Sequence, residues 1–442
     1  MKKIRILLLL LSAFLLFSCT EQSPSPEQTE PNTTGSEEIR EETEKPETAL
    51  PESTVTETTA PESTSPAETL PAKQGVLAAK LISSVTELPD EIPPLEGVNE
   101  DALRKTVLDY MFSMADVKWI CDKDIDYTAH GILDYKAGET YQGMPYNSGK
   151  AGIEVFADLI EDGVFKPASL DYDKLPGNNC SSSILHAWQT VSTVCNYGYC
   201  VEMSPSLPTK GIARVGEIDW SHYDSKSTTD SVLNRNSIDV ILDAYAAAKP
   251  ADALVRHNTD AGGGHAMMLT DLPTIGRRSD GSIDPETSFF TLIDQNNYLQ
   301  NQRPIASSWG YRFTMTFVEV FREGYLPVSV PELQAGTTEK PVFAVKDLPD
   351  LKQFERTGMI LTGKLESNYR LGSVKAELHR ESEDGEVVAS SVAHPYQKTY
   401  SLSTLTSPLG IKELPAGRYV LTVDMIAGLG RNRVLVLEIE HF

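Results

Sequence analysis

The chain has 442 residues, with 63 acidic against 39 basic side chains and a formal net charge of −24 at pH 7. That balance argues against nucleic acid or an anionic lipid surface as partner, because either would be repelled at most contacts. The length exceeds what one hydrophobic core usually organises, so more than one folded unit is expected.

The chain opens with Lys2, Lys3 and Arg5, followed by an apolar run from Ile6 to Phe17. The run is short for a bilayer span and has the length of a signal-peptide core. Leu16-Phe17-Ser18-Cys19 follows, and it resembles the lipobox of bacterial lipoproteins. The resemblance implies a signal peptide over 1–18 and a diacylglycerol on Cys19, which becomes the mature N-terminus. It further implies an extracytoplasmic location, with the membrane reached through the Cys19 lipid. Residues 20–75 are almost all Thr, Glu, Pro and Ser, with 13 Glu against three basic residues (Arg40, Lys45, Lys73) and no aromatic. So little apolar surface cannot offset the ordering entropy, and 19–75 reads as a lipidated cysteine on a disordered stalk. As a coil it would reach roughly 40 Å, and stretched about 170 Å.

The next elements mix two periods. A helix is expected over 99–115, with Asn99 as cap, Glu100 and Asp101 in the first turn, and Leu103, Val107, Tyr110 and Met111 as its buried stripe. Further helices are expected over 181–194 and 229–248, and strands over 253–257, 266–270 and 289–293. Helices first and strands later predict an α+β domain over 76–326. Pro327, Pro331 and Gly336 mark a joint near 325–338. Beyond it, 338–442 reads as all-β, with strands over 360–365, 374–379, 387–392, 399–402, 418–425 and 434–439. Glu383-Asp384-Gly385 and Pro415-Ala416-Gly417 supply turns between them. The spacing points to an immunoglobulin-like sandwich serving as a binding or spacer module.

Three segments of the α+β part carry chemistry. In Gly177-Asn178-Asn179-Cys180-Ser181-Ser182-Ser183, a cysteine opens a helix. There, unpaired N–H groups and the helix dipole favour a thiolate and can bind an oxyanion. In Gly262-Gly263-Gly264-His265-Ala266-Met267, a histidine enters an apolar strand behind glycines that leave room for a chain to lie against it. In Leu292-Ile293-Asp294-Gln295-Asn296-Asn297, an apolar strand ends in a polar cluster able to orient an imidazole. Asp294 is favoured over Asn296 for that task because it directly follows the strand.

This order resembles papain-like peptidases, and most nearly the NlpC family of bacterial cell-wall cysteine peptidases. Tyr141-Gln142-Gly143-Met144-Pro145-Tyr146 is similar to the segment preceding the family's nucleophile, and Pro250-Ala251-Asp252-Ala253-Leu254-Val255 to its strand leading to the histidine. The sequence reads Asn179-Cys180-Ser181-Ser182 where the family has Asp-Cys-Ser-Gly. The resemblance implies a papain-like fold and amide hydrolysis by Cys180, His265 and Asp294. Tyr146, Asn179 and Asn296 would be placed near substrate or oxyanion. Peptidoglycan stem peptides would be the substrate, with no cofactor. Two other readings remain open: a non-catalytic wall- or peptide-binding lipoprotein, and a transglutaminase-like acyl transferase.

Cys180 can also be an ordinary buried cysteine, and Cys121, Cys180, Cys195 and Cys200 can supply up to two disulfides. With Cys180 kept as a thiol, Cys195–Cys200 is the local pair. A zinc site built on Cys195, Cys200 and a histidine lacks a matching ligand pair. His257 is the alternative base, His222 matches no motif, and His186 is read as packing or surface. Ser307-Ser308-Trp309-Gly310 is set aside as coincidence because it lies past the Asp294 strand.

Overall fold

The first described helix, Glu100–Asp116, follows from its own sequence. Asn99 is extended and its side chain accepts from the Ala102 N–H at 2.9 Å, closing one of the orphan donors of the first turn. Leu103, Val107, Met111 and Met114 then recur at helical spacing and are buried. Tyr110 is only half-buried, its hydroxyl donating to Glu154 at 2.8 Å. The computed structural model describes residues 77–442, apart from 131–133, 197, 225, 259–262, 301 and 358–360. The expectations for 1–76, Cys19 among them, lie outside the described residues. Among the described residues no helix is long and apolar enough to cross a membrane.

The fold is mixed α+β with several sheets. Six strands form an antiparallel sheet in the order Ser307–Thr316, Phe289–Gln300, Gly263–Leu269, Ala253–Asn258, Leu326–Ser329 and Ala213–Arg214. The helix Cys180–Gln189 packs on the two strands Gly263–Leu269 and Phe289–Gln300. Ile184, Leu185 and Trp188 join Leu254, Met268 and Leu292 in one core. A second core, around Val345, Leu365, Leu378 and Leu437, belongs to two further sheets. One runs Leu77–Ser84, Gly430–His441, Gly417–Ala427, Leu371–Arg380 and Val387–Ala393; the other runs Phe343–Lys346, Lys364–Ser367 and Thr399–Ser401.

Several expectations change here. The 76–326 boundary fails at both ends. Leu77–Ser84 pairs with Gly430–His441, joining the second core instead of the first. At the other end, Leu326, Pro327 and Val328 pair with Val255, Leu254 and Ala253, so the first lobe continues through Leu333. The helix expected over 229–248 is two, Thr229–Leu233 and Ile238–Ala247. Asn236 breaks it: its amide donates to the Val232 carbonyl at 2.9 Å and to Asp219 O, and Ser237 caps the second piece. The helix after Asn179 stops at Gln189, where the Thr190 hydroxyl takes the Ala187 carbonyl at 2.6 Å. The strand expected to end at Ile293 runs on to Gln300, because Ser307–Thr316 pairs alongside it.

The stretch leading to the histidine strand is tied down from below. Asp252 is buried and accepts from Arg104 at 2.9 Å, from the Ser329 hydroxyl at 2.6 Å and from the Lys249 N–H at 2.8 Å. Arg104 has no water to fall back on, with a side chain 7% exposed. Asp252→Ala would leave that cation with only the part-exposed Glu100, 2.8 Å away, as counter-charge, and is expected to cost about 3–5 kcal/mol in urea unfolding. A loss under about 1 kcal/mol would show that Glu100 alone suffices for Arg104.

His186 is interior packing. Its Nε2 lies 2.9 Å from the Lys150 carbonyl, its ring stands edge-on to Tyr396, and burial holds its pKa down to about 4. An unfolded chain protonates this ring near pH 6.5, so the unfolded state binds the proton first. Stability is therefore present above about pH 6.5 and falls as pH drops toward 4, by about 3 kcal/mol in all. His186→Gln is expected to remove that part of the pH dependence in denaturation curves compared across this window.

Candidate active site

Asn179 and Ser182 close a capping box at the head of the Cys180–Gln189 helix. The Asn179 Oδ1 accepts from the Ser182 N–H at 3.0 Å, and the Ser182 hydroxyl oxygen accepts from the Asn179 N–H at 2.9 Å. The Asn179 side-chain oxygen thus serves the helix cap. Cys180 becomes the first helical residue, 2% exposed, where backbone N–H groups and the dipole favour negative charge. The segment around Tyr146 lies against this turn. Asn147 N–H donates to the Asn178 carbonyl at 3.0 Å and Asn178 N–H to the Pro145 carbonyl at 3.2 Å, bridging Tyr146 to Asn178. Tyr146 is buried, and its N–H donates to the Tyr135 hydroxyl at 3.0 Å.

His265 and Asp294 arrive from neighbouring antiparallel strands. Met267 is opposite Asp294, and side chains alternate along a strand, so His265, Met267 and Asp294 share one face. The His265 Nε2 lies 2.8 Å from Asp294 Oδ2, with both side chains buried. Asn296 donates to the other carboxylate oxygen, Oδ1, at 2.8 Å. Asn296 therefore steadies the aspartate. Donation of Nε2–H to Asp294 fixes the tautomer in which Nδ1 is the basic nitrogen.

Neighbours missed by pattern reading complete the site. Tyr325 stands edge-on to the His265 ring, centroids 6.3 Å apart; it is enclosed, and burial holds its hydroxyl well above the usual pKa. Arg256, opposite His265 in register, lies over the Tyr325 ring at 5.0 Å and pairs with Glu323 at 2.6 Å. Burial is the main cause of the raised Tyr325 pKa, and the charges of Arg256, Asp294, Glu323 and Cys180 bear on the same hydroxyl. Ser307-Ser308-Trp309-Gly310, set aside in the sequence, forms the strand beside Asp294. Trp309 Nε1 donates to the Met144 carbonyl at 3.0 Å, and Gly310 is opposite Asp294.

The thiols divide in an unexpected way. None of the four described cysteines is in a disulfide. Cys200 reaches Cys180, Sγ to Sγ 3.9 Å, in place of the local pair with Cys195. Burial raises the Cys195 thiol well above its usual range and pushes Cys121 up to about 11. The space at Gly264 is filled by the protein itself: a Cβ there would sit 2.5 Å from Cys200 Cβ. His257 is held elsewhere, its Nδ1 3.0 Å from the Ser227 carbonyl. Among the described residues no three His, Cys, Asp or Glu side chains converge in the manner of a metal site. Comparisons with models of protein families, with curated proteins and with solved structures found no match to this chain.

Gly310 is required for space. A Cβ there would lie 2.3 Å from Asp294 Oδ1. Gly310→Ala is expected to displace the carboxylate and to destabilise by about 1–3 kcal/mol through overpacking. The downfield proton resonance of His265 Nε2–H, held by the carboxylate in the wild type, should disappear. A resonance left unchanged would mean that Asp294 is not placed by the neighbouring strand.

Proposed function

We propose that the chain is a thiol hydrolase that cleaves an amide bond, with Cys180 as nucleophile, His265 as general base and Asp294 as the group that orients it. The observation that carries this reading is the 2.8 Å contact of His265 Nε2 with a buried Asp294, on strands packed against a helix that begins at Cys180. Thiol, imidazole and carboxylate follow one another in the order a papain-like enzyme uses, and a divergent NlpC-like domain is the fold we assign to the first lobe. The two sheets that share the second core support an immunoglobulin-like module that spaces or binds.

In this mechanism His265 Nδ1 takes the proton of Cys180, and the thiolate attacks the carbonyl carbon. Negative charge develops on the carbonyl oxygen beside the first N–H groups of the helix, which stabilise it. His265 then gives its proton to the leaving amine. Water, deprotonated by the same nitrogen, hydrolyses the thioester. Asp294 stabilises the imidazolium and prevents the ring from turning, and Asn296 prevents the carboxylate from turning. We assign peptidoglycan stem peptides as substrate, with the enzyme held outside the cytoplasm at the membrane by a lipid on Cys19. The acidic stretch 20–75 then acts as a stalk that lets the folded part reach the wall.

A second reading, a non-catalytic wall-binding lipoprotein, draws on the burial of Cys180, which is 2% exposed. Purified peptidoglycan incubated with the reduced wild type should release stem-peptide fragments identifiable by mass. Cys180→Ala and His265→Ala should each slow that release at least about a thousandfold. Iodoacetamide should label Cys180 selectively at neutral pH. Labelling no faster than that of free cysteine, with no fragments released, would sink the hydrolase in favour of the binding protein.

A further inference from the structure

Cys200 lies where a hydrolase has no use for a second thiol. It opens the short turn Cys200–Glu202, which packs on the strands Ala253–Asn258 and Gly263–Leu269. The turn is held by the Glu202–Lys210 ion pair at 2.7 Å, by the Tyr199 N–H to Glu202 at 3.0 Å, and by the Tyr223 hydroxyl donating to the Val201 carbonyl at 3.1 Å. On one side Cys200 meets Cys180, sulfur to sulfur at 3.9 Å; on the other it fills the place of a Gly264 side chain, next to His265. The two thiols are 2% and 7% exposed.

We infer that Cys180 and Cys200 form a reversible disulfide that silences the Cys180 thiol and fixes the Cys200 turn across the site. The inference deepens the hydrolase reading and rests on it for the identity of the silenced group. A sulfur separation of 3.9 Å needs closure by about 2 Å to reach bonding distance, within the reach of side-chain rotation and a small shift of the turn. Cys121 is engaged elsewhere, its Sγ donating to the Lys123 carbonyl at 2.9 Å. The oxidant class is a low-molecular-weight disulfide. The Cys180 thiolate attacks one of its sulfurs, forming a mixed disulfide and expelling one small thiolate. Cys200, giving up its proton, then attacks Cys180 Sγ and expels the second. Two protein thiols are oxidised, one small disulfide is reduced to two small thiols, and an external thiol reverses both steps.

The test uses the full chain equilibrated in glutathione buffers from reduced to oxidised, then alkylated and digested without reduction. Mass analysis is expected to find the Cys180 and Cys200 peptides joined in the oxidised samples and separate after dithiothreitol. Iodoacetamide labelling of Cys180 should fall about tenfold or more on oxidation and return on reduction. In Cys200→Ser and Cys200→Ala the second step is absent, so glutathione should remain attached to Cys180, while the reduced variants hydrolyse peptidoglycan within about twofold of the wild type. Cys200 joined to Cys195, glutathione persisting on wild-type Cys180, or thiols unmodified in oxidised buffer would each overturn the disulfide. Should the linked peptide form while the reduced chain leaves peptidoglycan intact, the disulfide stands and the hydrolase reading alone falls.

Discussion

The antiparallel register that sets Met267 opposite Asp294 decides which side chains meet the cysteine helix. A strand slipped by one residue turns every side chain to the other face, so His265 would leave the face it shares with Asp294 and Ala266 would take its place. Several features hold the register. Leu269 N–H donates to the Asp252 carbonyl at 2.9 Å, and Ala251 N–H donates to the Leu269 carbonyl at 2.8 Å, closing the far end of the histidine strand. Below that closure sits the buried Arg104–Asp252 pair, which couples the first helix to the turn entering the sheet. The position of His265 is therefore anchored by an ion pair that touches neither His265 nor Asp294.

What could be read from the residues was mostly local. Asn99 and its acidic first turn announce a helix by capping alone, and alternation places five of the second lobe's strands close to where they lie. The strand expected over 360–365 is Lys364–Ser367, and the helices Leu351–Thr357 and Leu402–Thr406 depart from an all-β reading. Cys180, His265 and Asp294 stood out because helix starts and strand ends leave marks in neighbouring residues. What was hidden depended on partners distant in sequence. Gly310 has meaning only once its strand lies beside Asp294, and Cys200 only once its turn folds back onto Gly264. Asn236 misled in a third way: its side chain competes for the Val232 carbonyl, which a periodicity argument over 229–248 does not register.

The two lobes are joined by polar contacts as well as by the chain. The hydroxyls of Tyr110 and Tyr396 both donate to Glu154 Oε2 at 2.8 Å, and His394 Nε2 lies 2.8 Å from Asp158. Thr338 and Tyr369 direct their hydroxyls at the Val191 carbonyl, just past the end of the cysteine helix. The Tyr110 and Tyr396 contacts to Glu154 border a cavity of about 190 Å³, also lined by His186 and Arg370. The second lobe thus braces the base of the helix whose head carries the thiol, and the His186 ring forms part of that brace.

The pairing of Leu77–Ser84 with Gly430–His441 has a consequence for biosynthesis. The strand Leu77–Ser84 finds its partner only once Gly430–His441 has been made, so this sheet closes across most of the described chain. Until then Leu77, Ala79 and Leu81 form an unpaired, partly apolar edge, and such an edge is a template for pairing with another chain. The order of synthesis therefore makes this segment the one most in need of protection while the rest of the molecule is being made.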